Sequence, residues 1–190
     1  MSIRKALDKE VFGPTRYDVF YKIGLHADIE DTEALKASFY NDQPLRFIDI
    51  NWDNFKIHNH WYQDFQLKKR EEPVRGTVFQ FSSDIYGDSQ LIQFLVGYLS
   101  GNLDGIYRLE WEYVTLSLFI TLFGPDQHDP EKIALRRKNA VQEIQSAVKE
   151  INTEAALFKY DIDLFIEEQV ELQAQRVLQM KQLYPTINKL

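Results

Sequence analysis

The stretch "EKIALRRKNAVQEIQSAVKEINTEAALFKYDIDLFIEEQVELQAQRVLQMKQLY", residues 131–184, contains neither glycine nor proline. All eight glycines and five of the six prolines lie at or before position 130. A run that long without a breaker reads as helix. Its apolar residues fall at Val141, Ile144, Val148, Ile151, Ala155, Phe158, Ile162 and Phe165, in steps that alternate three and four, the heptad spacing. Gln169 takes the next expected apolar place, and the pattern resumes through Leu172, Val177, Met180 and Tyr184 after a one-residue slip. Unbroken, the helix would extend about 80 Å. A turn near Asn152 and Thr153 would instead fold it into an antiparallel hairpin, and the pattern allows both. Ala155 between bulky neighbours permits a partner helix to approach closely. The expected interface is therefore Val148, Ile151, Ala155, Phe158, Ile162 and Phe165, for self-association or for docking an effector protein.

The helix has a readable start. In "GPDQHDPEK" (124–132), Asp129 can cap it and Pro130 suits its first position, where a missing N–H costs nothing. Upstream the period changes. "SIRKALDKEVF" and "IEDTEALKASFYN" (29–41) read as short helices, the second with acids in its first turn. "LRFIDI" (45–50), "YQDFQLK" (62–68) and "GTVFQFS" (76–82) read as strands, while "SQLIQFLVGYL" (89–99) fits strand or helix. In "IYRLEWEYVTLSLFITLF", Thr115, Ser117 and Thr121 alternate with Val114, Leu116, Leu118, Ile120 and Leu122, as one long strand or two with a dry face require. The expected fold is α+β. A mainly antiparallel β-sheet head with short helices, residues 1–128, precedes a long amphipathic helix or helical hairpin, residues 129–190.

Composition bounds the function. With 44% hydrophobic and 14% aromatic residues, a packed core is within reach. The absence of cysteine excludes disulfides, thiolate metal sites and a cysteine nucleophile, and fits a cytoplasmic setting. A net charge of −7 gives no electrostatic attraction to nucleic acid. No apolar run reaches the about 20 residues that a bilayer requires, and no signal peptide is visible.

The letters "IHNHW" (57–61) invite a nuclease reading, but the HNH motif spreads its residues over a ββα unit and does not place them side by side. His58 and His60 would share one strand face and could form a weak metal pair, although exposed hairpin histidines explain them as well. A second nuclease reading uses Asp49 at the end of one strand with Gln66 and Lys68 on the next. There the carboxylate and amide oxygen would hold Mg2+ while the lysine orients water; a helical acid, Glu30 or Glu33, would also be wanted. No nucleophile elbow, Walker loop or dinucleotide fingerprint is present. "LKKREEPVR" (67–75), "LRRK" (135–138) and "YDIDLFIEEQVE" read as solvated surface.

"EEPVRGTVFQFSSDIYGDSQLIQF", then a strand run, "DPEKI", "INTEAALF" and "LQAQRVLQMKQL", resemble an N-terminal domain of bacterial multidomain proteins that carry a TIR or endonuclease-like effector. The matching residues are Gly87, Asp88, Leu91, Asp129, Ile133, Asn152, Phe158 and Tyr184-Pro185, and the resemblance spans about residues 48–187. "LVGYLSGN" stands where that family has an Arg/Pro-rich segment. The chain stops where the family's effector linker begins, which implies a stand-alone version or a piece of a longer protein. The resemblance implies a role in antiphage defence. The leading expectation is a non-enzymatic sensing, scaffolding or oligomerisation protein without cofactor, whose head signals through its helix. The alternatives are the metal-dependent nuclease and an acidic mimic that blocks a nucleic-acid-binding protein.

Overall fold

A computed structural model describes residues 2–26, 31–42, 45–66, 72–102 and 107–187. The protein is α+β, an antiparallel five-stranded sheet with short helices before it and one long helix after it. Its contacts divide it into two compact units, Met1–Arg46 with Thr153–Leu190, and Phe47–Asn152. The division does not fall at the expected 128/129 boundary, because the last helix contributes to both units.

The sheet unit holds β1 (Asp49–Ile50), β2 (Lys56–Phe65), β3 (Val74–Tyr86), α4 (Ser89–Asn102), β4 (Tyr107–Glu112) and β5 (Thr115–Phe123). β3 is central: β5 lies on one side, and β1 and β2 share the other. β4 completes the far edge beside β5. The ambiguous stretch 89–99 is helical, and its Leu91, Ile92, Leu95 and Leu99 are buried, with α4 packed on β4. Asp88 Oδ1 accepts the Gln90 N–H at 2.8 Å and so caps α4.

Cross-strand pairs place Phe81, Leu118 and Leu109 in one buried row and Phe79 and Ile120 in the next. The first part of α5 (Pro130–Ile187) covers this face. Arg137 lies over the Phe81 ring and donates to the Phe55 carbonyl, while Ala140, Ile144 and Ile151 are buried. Asp129 Oδ1 accepts the N–H groups of Glu131 and Lys132 at 3.0 and 3.3 Å, the cap expected from the sequence.

The helical unit holds α1 (Ile3–Leu7), a π turn (Asp8–Phe12), α2 (Gly13–Gly24), α3 (Thr32–Asp42) and the remainder of α5. A Cβ on Gly13 would come 2.8 Å from the Asp8 carbonyl, so the π turn runs into a residue that must be small. Phe12 stacks on Phe158 with centroids 4.1 Å apart, and the Arg16 guanidinium lies 5.1 Å from the same ring. Arg16 also pairs with Asp8 at 3.2 Å and Asp161 at 4.0 Å.

α5 is a single helix of 58 residues, not a hairpin. Its buried side chains run Ile144, Val148, Ile151, Ala155, Phe158, Ile162, Ile166 and Val170. After Phe158 every step is four, so the stripe leaves the heptad frame; Ile166 and Val170 take the places expected for Phe165 and Gln169. Phe165 is only half-buried.

Candidate functional site: the open face of the sheet

The second sheet face has a readable register. Its rows are Asp84–Thr115–Glu112, then Lys56–Ser82–Ser117–Glu110, then Asn59–Gln80–Phe119–Arg108, then Trp61–Val78–Thr121. Directly opposed residues point to the same side of a sheet, so each row is a line of neighbouring side chains. Serine, threonine and glutamine in the two central strands are what the alternation of "TVFQFSS" and "TLSLFITLF" dictates once the apolar set faces the helices.

The first rows line an open groove of about 810 Å3. At its floor Ser82 and Ser117 share a hydrogen bond of 3.1 Å, and Gln80 Nε2 donates to Ser117 Oγ at 3.3 Å. Ser117 is 9% exposed, so this polar floor is recessed, and no α-helical residue is among the described residues that line the groove. Beyond it Phe119 is shielded by Trp61, edge-on with centroids 6.0 Å apart, and by Arg108, 4.5 Å over the ring. Arg108 Nε also reaches Glu110 at 3.1 Å. Lys56, Asp84 and Glu112 have no ion-pair partner among the described residues. Tyr113 stands at the rim in the two-residue β4–β5 connection, 86% exposed and with φ +53°.

The "IHNHW" segment belongs to the sheet edge. β2 runs from Lys56 to Phe65 and pairs with β3 alone. Asn59 Oδ1 accepts the His60 N–H at 2.8 Å and so occupies an edge donor that another strand could otherwise use. The register shifts between Ile57 and Asn59, which interrupts the alternation a shared His58 and His60 face requires. His58 lines the groove and His60 stacks on Phe79 with centroids 6.2 Å apart, so these two weak candidates are not brought together as a pair. Among the described residues no group of three or more His, Asp or Glu is placed to hold a metal.

The Asp49, Gln66 and Lys68 site also fails on register. Asp49 pairs with Tyr86 at one end of β3, while Phe65, which precedes Gln66, pairs with Val74 at the other. That strand length is roughly 40 Å, too far for two side chains to share an ion. Lys68 and Glu30 lie outside the described residues. Glu33 is exposed and engages Lys36 at 3.0 Å.

The expected interface residues are committed within the chain. Val148, Ile151, Ala155, Phe158 and Ile162 are all buried, so as placed they cannot form a seam with another molecule. The large apolar side chains that α5 does expose among the described residues are others: Leu135, then Leu157, Tyr160 and Leu164, then Leu172, Leu178, Met180, Leu183 and Tyr184. Sequence reasoning singled out the buried stripe because periodicity marks what is covered, without saying by what.

Comparison with protein-family models, with curated proteins and with solved structures finds no match. Among the described residues no helix is long and apolar enough to cross a membrane.

Proposed function

We propose that this protein is a non-enzymatic recognition and scaffolding protein. The open face of its sheet binds a partner, and α5 couples that sheet to the helical unit and to an effector. One observation carries this reading: a single helix begins in the sheet unit, with Arg137 against Phe55 and Phe81, and continues into the helical unit, with Phe158 against Phe12. On this reading the shared helix is the element that carries a change at one end to the other. Self-association or effector docking then falls to the exposed end of α5 around Leu172–Tyr184. A setting in antiphage defence rests on the sequence resemblance alone.

Light scattering of the wild type and of a Leu178→Glu/Leu183→Glu variant tests the assembly. A wild-type mass above the monomer that falls in the variant supports it; a monomeric wild type removes self-association and leaves effector docking alone. A plasmid-nicking assay with Mg2+ or Mn2+ tests the other half. Cleavage by the purified wild type would overturn the non-enzymatic reading.

A further inference from the structure

Two carboxylates without an ion-pair partner among the described residues stand in one row at one end of the open groove. Asp84 and Glu112 flank Thr115 in one row, with Cα atoms roughly 10 Å apart across two inter-strand spacings. Glu110 follows in the next row on the same edge as Glu112, but its carboxylate is already engaged by Arg108 of the same strand at 3.1 Å. Among the described residues Lys56 is the one lysine or arginine that lines the groove, and it stands on the opposite edge, in β2. Between the edges lie the hydroxyls of Thr115, Ser117 and Ser82 and the amide of Gln80, which can donate and accept hydrogen bonds.

A partner that complements this face must bring a cation to the Asp84–Glu112 row and polar groups to the floor. One small metal ion suits it poorly, because its ligands must converge within about 2.6 Å. Nucleic acid is disfavoured by the same carboxylates. A guanidinium or ammonium on a long flexible stem can reach between the two carboxylates, and a peptide backbone offers amides to a row of hydroxyls. We propose that the open face binds an extended basic segment of a partner protein, with an arginine or lysine side chain held between Asp84 and Glu112 and the adjoining backbone over Ser82, Ser117 and Gln80. This rests on the recognition role assigned to the sheet above and names its partner.

The probe is a fluorescein-labelled peptide of sequence Gly-Ser-Arg-Gly-Arg-Ser-Gly, followed by anisotropy at low salt, where such contacts are least screened. The expected result is saturable binding, weakened about tenfold by Asp84→Asn or by Glu112→Gln and further by both together. Circular dichroism confirms that the variants are folded. A peptide with glutamate in place of arginine should not bind. Three results would each overturn the proposal: no wild-type binding at millimolar peptide, equal binding by the double variant, or displacement by spermidine as effective as by unlabelled peptide. The double variant leaves the α5 residues unchanged. Loss of this proposal is therefore distinguishable from loss of α5 assembly, which light scattering reads separately.

Discussion

Asn152 holds the main chain of Ile48 at both its polar groups, with Nδ2 donating to the Ile48 carbonyl and Oδ1 accepting the Ile48 N–H, each at 2.8 Å. A mid-helix asparagine thus serves as the partner that a neighbouring strand would otherwise supply. Ile48 is 3% exposed, so water is a poor substitute. Asn152→Ala should cost about 2–4 kcal/mol, the loss of two bonds plus the penalty of leaving buried groups unmet. Asn152→Asp should also destabilise, because a carboxylate cannot donate to the carbonyl. Urea denaturation of both variants checks this; a loss below about 0.5 kcal/mol would show that the pair contributes little.

Gly87 meets the same segment from another side. Its φ is +141°, and a Cβ there would lie 2.8 Å from the Phe47 carbonyl oxygen and 3.0 Å from the Ile48 Cα. Both contacts are with backbone, which cannot swing aside as a side chain can. Gly87→Ala should therefore lower stability by more than about 1 kcal/mol, seen as a reduced melting temperature. A melting temperature equal to wild type would refute the close approach.

These two residues show where local reading of the sequence ends. Asn152 followed by Thr153 looks like a helix stop and restart, which kept a hairpin open; its amide is used by Ile48, a partner no local window contains. The start of β2 was missed because the edge strand is exposed along most of its length and has no alternation to read. β5 and the cap at Asp129 were legible, since period-two patterning and capping are local properties. The open-face groove was not, because its rows exist only once four strands are in register.

Phe158→Asp separates the observed packing from the seam expected from the heptads. Phe158 is 4% exposed against Phe12, so a carboxylate there should cost about 3–5 kcal/mol and melt the helical unit. Leu178→Glu, at an exposed site, should change stability by less than about 0.5 kcal/mol. Thermal denaturation compares the two. A Phe158→Asp protein as stable as wild type would place Phe158 outside the core.

High pH should weaken the helical unit through Tyr40. Burial, followed by the Glu167 carboxylate, raises the Tyr40 phenol above its usual value, and its hydroxyl donates to Glu167 at 3.2 Å. The fold therefore favours the protonated phenol. Its contribution is fully present below about pH 10, the unfolded value, and is lost as pH rises through the higher folded value. Lys36 acts in the same direction, raised by its bond to Glu33 against an opposing effect of burial, with Glu171 adding to the rise. Melting temperatures measured from pH 8 to pH 11 should fall at the alkaline end, and less so in Tyr40→Phe. An identical slope in that variant would remove Tyr40 from the effect.

Tyr113 sits in a two-residue hairpin connection at φ +53°, where glycine or asparagine is the residue that relieves steric cost. Its ring is 86% exposed, so packing offsets little of that cost, although its carbonyl accepts the Trp111 indole N–H at 2.7 Å. That hydrogen bond uses backbone and survives substitution. Tyr113→Gly should consequently stabilise the protein, by up to about 1 kcal/mol after the added chain entropy of glycine is subtracted. Tyr113→Asn should gain less. Tyr113 also lines the groove proposed to bind the basic segment, and on that proposal the more stable Tyr113→Gly protein should bind the arginine peptide more weakly. Thermal denaturation and anisotropy on one preparation read both effects. A destabilised Tyr113→Gly protein would show that the ring supports the fold instead.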